Sequence, residues 1–395
     1  MKRLSLLALA LLFSAMPSFS SVSIGGEFDY YMVNGFDSDN AASFEDKWDK
    51  GELDFRASVG DYSRVLIEIE EDGSWDDGQG TSPEGTPSIN YFRVQTDWGK
   101  FFGLERTGIR TDIGLYSYQT FDRIHFTGFG YEYSENFSNP YMPKDFGFKI
   151  NFSFFDGLVQ PYYTMSFDTV QATDNKGKAT PDGEATYMAG SGFDFKSLGF
   201  PLWLEAYFMK GTAEDANQFG LEAMYDLAIG DIKITFGGFY LNFTKAQRAR
   251  WSTRSADTDD RGSLWGFGAR FAAFGFAFDI TSAGQFGEDF YGKDNYSPFS
   301  VLAFDAEYFF LDWLGLNAGT AFAFGDYKET SGDKALQSVE AGLVVKPSKG
   351  VLYKLGYIYV DKDVAANPGR LFRTLNTKKV TAEKGGLYFT TKIDF

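Results

Sequence analysis

The chain has 395 residues, no Cys, a formal charge of −17, and 44 Gly, 43 Phe and 23 Tyr against only 11 Pro. No disulfide can staple such a chain, and its acidity argues against a nucleic-acid partner, which needs clustered positive charge. Beyond a short N-terminal run, no segment approaches the ~20 apolar residues of a membrane helix, so a helical membrane protein is excluded.

Met1-Lys2-Arg3 is a basic start, Leu4 to Phe13 an apolar run, and Ser18-Phe19-Ser20 a small-x-small cleavage site. This reads as a secretory signal peptide over 1–20, cleaved after Ser20, with an apolar core too short to anchor in a bilayer. The mature domain is then 21–395, and loss of Lys2 and Arg3 takes its formal charge from −17 to −19. Export leaves two classes: a soluble protein outside the cytoplasm, or a membrane β-barrel.

Period-two alternation recurs along the chain. Phe146, Phe148, Ile150, Phe152 and Phe154 interleave with Gly147, Lys149, Asn151 and Ser153. Phe219, Leu221, Ala223 and Tyr225 alternate with Gln218, Gly220, Glu222, Met224 and Asp226. The same pattern returns at Phe274, Phe276, Phe278, Ile280, at Val339, Ala341, Leu343, Val345, and at the end, where Leu387, Phe389, Thr391, Ile393 and Phe395 share a face. The segment 231–243 changes phase midway.

Strands are expected near 22–33, 51–60, 63–71, 89–97, 101–106, 145–155, 158–170, 186–196, 201–210, 218–228, 231–243, 264–273, 274–281, 299–310, 314–325, 336–346, 351–361 and 386–395. That is about eighteen, or sixteen if two weaker segments are misread. Short turns at 60–63, 97–100, 156–157, 197–200, 228–231, 274–275, 311–313 and 347–350 alternate with longer polar connections at 34–50, 71–88, 107–144, 171–185, 211–217, 244–263, 282–298, 326–335 and 361–385. A soluble sandwich has no reason to obey this rule, whereas outer-membrane barrels have short periplasmic turns and longer external loops. The expected fold is all-β: a transmembrane antiparallel up-and-down β-barrel that encloses water rather than a packed core. Lys149, Asn151, Glu222 and Asp226 then line the lumen, and the face carrying Phe148, Phe152, Leu221, Phe276 and Leu343 meets outer-membrane lipid.

Residues 107–144 form one connection under this parity, although Ile124 to Tyr133 is strand-like and an extra hairpin there would give about twenty strands. As a single loop it is the longest in the chain. It carries Tyr116, Tyr118, Phe121, Phe126, Phe129, Tyr131 and Tyr133. So many rings need a surface to pack on, and the inner wall of the barrel is the nearest.

The stretch Asp97-Trp98-Gly99-Lys100-Phe101-Phe102-Gly103-Leu104-Glu105-Arg106-Thr107 resembles the fourth turn and fifth strand of the general-diffusion porins of Gram-negative bacteria, and the terminal Phe395 resembles the address residue of outer-membrane barrels. The chain lacks the Pro-Glu-Phe-Gly-Gly run many porins carry in their third external loop. Sixteen strands are usual in that family and eighteen in sugar-specific porins. The resemblance implies passive diffusion of small hydrophilic solutes and ions, a homotrimer, no cofactor, and a third external loop folded into the lumen. It further implies arginines on the wall facing that loop. By alternation Arg56, Arg64 and Arg93 point inward from three neighbouring strands; a blander role for them is neutralising Glu68 and Glu70. Acidic counterparts on or beside the loop are Glu105, Asp112 and Asp122.

Other site chemistries fit less well. The single histidine, His125, sits in Arg123-Ile124-His125-Phe126-Thr127, without the Ser or Asp partners of a lipid-active enzyme. Acid clusters at 37–49, 72–77 and 257–260 read as solvated external-loop charge, with structural or lipid-bridging calcium as the alternative, although Asp72 to Gly78 fails the EF-hand spacing. Tyr31, Tyr91 and Tyr162 have lumenal parity and could stack a sugar. A barrel that works as an adhesin or ligand-binding protein through its acidic external loops is the alternative reading.

Overall fold

A computed structural model describes residues 19–35, 43–72, 88–104, 107–117, 144–167, 172–173, 179–180, 185–210, 217–243, 262–286, 300–324, 336–360 and 385–395. Eighteen strands form one sheet, each hydrogen-bonded to its neighbours in sequence. In chain order they are β1 (Phe19–Gly35), β2 (Ser43–Val59), β3 (Ser63–Asp72), β4 (Ser88–Asp97), β5 (Gly108–Ser117) and β6 (Lys144–Ser153). Then follow β7 (Val159–Phe167), β8 (Ala185–Asp194), β9 (Leu202–Lys210), β10 (Asn217–Ile229), β11 (Ile232–Phe243) and β12 (Gly262–Ala273). The last six are β13 (Phe276–Phe286), β14 (Ser300–Leu311), β15 (Leu314–Phe324), β16 (Leu336–Ser348), β17 (Val351–Val360) and β18 (Gly386–Asp394). A two-residue ladder, Ala172–Thr173 against Ala179–Thr180, lies between β7 and β8.

The sheet closes. β1 pairs antiparallel with β18 from Glu27↔Asp394 to Gly35↔Gly386. Beyond the ladder, the Gly26 amide donates to the Phe395 carbonyl at 3.0 Å and the Phe395 amide to the Gly26 carbonyl at 3.1 Å. Closure leaves no open sheet edge, which is what a lipid environment demands.

Alternation sets the two faces. Leu221, Phe276 and Leu343 lie exposed on the outside at 43%, 38% and 42% of their surface. Outward rings stack across and along strands, as Phe152 on Phe154, Phe276 on Phe278 and Phe278 on Phe304. Inward positions on the same strands are buried, among them Gln218, Glu222, Asp279 and Glu340. This inverted pattern, apolar outside and polar inside, is the signature of a barrel in a bilayer. The segment 232–243 keeps one register against both neighbours without a shift. Its apparent phase change arises because Phe239 and Leu241 are lumenal, with Phe239 lying over Gly266, where a Cβ would meet its ring at 2.4 Å.

Two expected boundaries move. Residues 101–104, the described part of the strand expected over 101–106, are not a strand. Trp98–Phe101 forms a single helical turn, α1, whose N-cap Asp97 accepts from the Lys100 amide, and Gly103 at φ +67° ends the turn. The fifth strand is Gly108–Ser117, so the connection after it is 118–143. The loop expected over 34–50 shrinks to 36–42, because Glu45, Asp46 and Asp49 lie in β2. The strand count stays at eighteen because one false strand is replaced by one true one.

Candidate functional site

The lumen has two walls of different character. On β2–β5 the inward positions carry Arg56, Arg64, Arg93 and Arg110. Their places follow from the register: Arg56 opposes Leu66, which opposes Arg93, while Arg64 opposes Gln95, which opposes Asp112. All three arginines expected at the constriction share this face. Arg64 feels the charges of Arg110, Arg93, Asp112 and Arg56, which places the four guanidinium groups in one cluster. The Arg56 side chain is 63% exposed and bonds Asp54 at 2.9 Å. Arg64 and Arg110 are also exposed, and Arg93 is half-buried.

A hydrogen-bond relay fixes this cluster from behind. Arg64 Nε donates to Gln95 Oε1. Gln95 Nε2 donates to Asp112 Oδ1 at 2.6 Å, and Asn151 Nδ2 to Asp112 Oδ2 at 3.3 Å. Asp112, expected on the long loop, is instead a buried wall residue of β5. The reason is the boundary shift: Ile109, Ile113 and Leu115 alternate outward, which turns Asp112 inward. The same alternation would have revealed Arg110. Glu105 and Asp122 lie outside the described residues, as does 118–143. Glu52, Asp54 and Glu68 bring carboxylate oxygens within 4.8 Å of one another on the same wall; the Arg56 guanidinium on Asp54 supplies positive charge there without a metal.

On the far side the charge is buried and acids outnumber cations. One register row reads Asp226, Thr235, Arg270, Asp279, Asp305, Gly319, Glu340 across β10 to β16. The next row carries Glu307 opposite Asn317. Asp279, Asp305, Glu307 and Glu340 are only 1%, 2%, 7% and 1% exposed. Gly319 makes the crowding possible, since a Cβ there would meet Asp305 Oδ1 at 2.5 Å and Glu340 Cγ at 3.3 Å. Cations sit among these acids: Arg270 Nε lies 3.6 Å from Asp279, Lys346 Nζ 3.5 Å from Glu307, and Lys354 within electrostatic reach of Glu340, Glu307 and Asp305. Asn317 Nδ2 donates to Glu340 at 3.1 Å and to the Tyr388 hydroxyl at 3.2 Å. Sequence reading assigned Asp279 and Glu340 to a polar face but found no cluster, because a register spanning four strands is invisible one strand at a time.

Between the walls, rings pack rather than project. Tyr162 is 8% exposed, its hydroxyl donates to Glu205 at 2.7 Å, and Lys149 Nζ lies 4.7 Å from its ring centre. Trp203 covers Gly192 and Tyr162 covers Gly190. A sugar cannot stack on a ring already flat against its wall. Tyr91 is half-buried, and the Tyr31 side chain lies outside the described residues.

No protein-family model matches the chain, and no curated protein matches it in sequence. Solved structures do match over nearly its whole length. Acinetobacter baumannii OccAB2 aligns with a TM-score of 0.54 at 13% identity, covering 96% of this chain and 98% of that one. Pseudomonas aeruginosa OpdL gives 0.53 at 11%, covering 95% and 98%. A BenF-like porin from Pseudomonas fluorescens Pf-5 gives 0.53 at 10%, covering 96% and 99%. At such identities the likeness is one of architecture, and it agrees with the closed sheet, the apolar exterior and the charged interior. The chain is an integral outer-membrane β-barrel with the porin fold.

Proposed function

We propose that this barrel is a passive channel for small hydrophilic solutes and ions, with no cofactor and no covalent chemistry. The observation that carries the reading is the cluster of Arg56, Arg64, Arg93 and Arg110, accessible on one lumenal wall and roughly half a turn of the barrel from the acid-bearing strands β13–β16. A barrel that only anchors loops needs no accessible charge on its inner wall. Opposite charges across a pore make a transverse field that orders water and aligns polar solutes, and rings of charge set ion preference. Arg56, Arg64 and Arg93, joined by Arg110, form the basic side of the constriction in this proposal. Glu105 and Asp122, on the connections flanking β5, supply loop acids, and Asp112 holds the arginines from the wall. A homotrimer belongs to the same proposal by resemblance.

The test is single-channel recording in planar bilayers with a panel of salts and sugars. The channel reading expects stepwise, ohmic conductance, reduced by sugars small enough to enter. Silent bilayers containing folded protein would transfer the function to the acidic external loops, as in an adhesin. Crosslinking in native membranes tests the trimer.

A further inference from the structure

Charge in the wall of β12–β17 does not balance. Asp279, Asp305, Glu307 and Glu340 are four buried acids. Three cations lie within reach of them. Arg270 of β12 is 3.6 Å from Asp279, Lys346 of β16 is 3.5 Å from Glu307, and Lys354 of β17 feels Glu340, Glu307 and Asp305. Asn317 of β15 and Tyr388 of β18 also face the cluster, but they are neutral. The charges next to it are engaged elsewhere. On one side Asp226 is met by Lys196 at 3.7 Å, and on the other Lys392 bonds Glu27 at 2.7 Å. Asp231, Lys233, Asp312 and Lys349 are exposed at the short turns. The cluster is therefore one positive charge short.

It is short of a hydrogen-bond donor at the same place. Asp305 and Glu340 flank Gly319 in one register row. A Cβ on Gly319 would meet Asp305 Oδ1 at 2.5 Å and Glu340 Cγ at 3.3 Å, so the two acids lean over one glycine. They are within electrostatic reach of each other, and two ionised carboxylates there repel. Glu340 Oε1 accepts from Asn317 Nδ2 at 3.1 Å, whereas Glu340 Oε2 and Asn317 Oδ1, on buried side chains, accept from no described group. A buried acceptor without a donor loses the hydration it had in the unfolded chain.

We infer that Asp305 and Glu340 bind one shared proton at neutral pH, which makes the pair a pH-sensitive strut in the barrel wall. A proton on one carboxyl lets it donate to the other and supplies the missing charge. Water would supply a donor but no charge. A metal ion needs several carboxylate oxygens around one point, and among the described residues only Glu52, Asp54 and Glu68 bring three within 4.8 Å of one another. The proton belongs to the pair rather than to either residue. Its presence fixes the sign of a pH dependence. In the unfolded chain both carboxyls meet water and are ionised above about pH 5. The folded barrel then holds one proton more than the unfolded chain, so stability falls as the pH rises, until the pair ionises in place.

Infrared spectroscopy reads the proton directly. The full-length barrel is reconstituted in vesicles of ether-linked lipid, which has no ester carbonyl of its own. At neutral pH the parent is expected to show the C=O stretch of a protonated side-chain carboxyl, shifted in D2O. The band is expected to vanish in Asp305→Asn and equally in Glu340→Gln, since either change leaves three acids matched by three cations. A parent without the band overturns the inference, and no variant is needed to see it. A band that survives in either variant sits on another acid and overturns the shared pair. Urea unfolding between about pH 5 and pH 8 gives the second readout. The unfolding constant of the parent is expected to rise, relative to that of Glu340→Gln, by up to about tenfold per pH unit. Asp305→Asn serves as the reference where Glu340→Gln does not fold. Parallel curves for parent and reference overturn the inference, because a strut that binds no proton has no pH dependence of its own.

Discussion

The wall formed by β2–β5 and the wall formed by β13–β17 both carry charge, yet they hold it differently. Arg56 on the first wall is 63% exposed at its side chain, while Glu340 on the second is 1% exposed. Charge in contact with lumenal water acts on a passing solute. Charge sunk into a wall must be neutralised where it sits, because desolvating an unpaired ion costs several kcal/mol. Arg270, Lys346 and Lys354 do this among Asp279, Asp305, Glu307 and Glu340. Residues of one sign on one barrel face can therefore belong to selectivity or to stability, and exposure decides which. Under the channel proposal the basic wall is an electrostatic surface for solutes, and the acidic wall is a set of struts between strands.

The largest expected effect comes from breaking a strut. Lys354→Met leaves Glu340, Glu307 and Asp305 without a central cation. Removing one partner of a buried pair costs about 3–5 kcal/mol. Urea unfolding in vesicles reads this loss, and the fraction that folds keeps the reversal potential of the parent channel. A shift in reversal potential with unchanged stability would make Lys354 a solute-facing residue and erase the distinction between the walls.

The exposed wall predicts the opposite pattern. Replacing Arg56, Arg64 and Arg93 with Gln removes three positive charges from water-accessible positions. Relative cation permeability rises in a salt gradient, while stability changes little at Arg56 and Arg64, since exposed charges contribute ~0–1 kcal/mol each, and the half-buried Arg93 carries most of any loss. The shift fades in concentrated salt, where the Debye length falls to ~3 Å at 1 M. An unchanged reversal potential at low salt would place the narrow zone elsewhere in the lumen.

Alternation made much of this architecture legible. Phe146 to Phe154 and Leu387 to Phe395 could only be strands with one apolar face, and the order of short and long connections gave their number. The fifth strand was misplaced because Lys100-Phe101-Phe102-Gly103 mimics a strand by its rings, while the Asp97 cap and Gly103 make it a turn. That error carried Asp112 onto the loop and hid Arg110. The arginines were legible because Arg56 and Arg93 each sit between outward apolar neighbours and Arg64 adjoins outward Val65. The acidic struts were not, since Asp279, Asp305 and Glu340 become neighbours only through register, and Gly319 carries no signal that two carboxylates share the space above it.

The smallest effect is the most discriminating, because Asp112 belongs to both kinds of wall. It is 4% exposed, like the struts, yet it lies behind exposed arginines and holds Arg64 through Gln95. Asp112→Asn keeps an oxygen to accept from Gln95 and nearly the same volume, so the fold survives. What changes is one negative charge close to the guanidinium cluster, which no longer offsets Arg64, Arg93 and Arg110. Relative anion permeability therefore rises, opposite in sign to the triple arginine variant and smaller, since one buried charge changes rather than three accessible ones. In the quadruple variant that also lacks the three arginines, the Asp112→Asn shift shrinks if the relay acts by positioning them. It persists undiminished if Asp112 acts on ions directly. Reversal potentials of the four proteins at low salt separate these outcomes, because positioning requires the two effects to be non-additive.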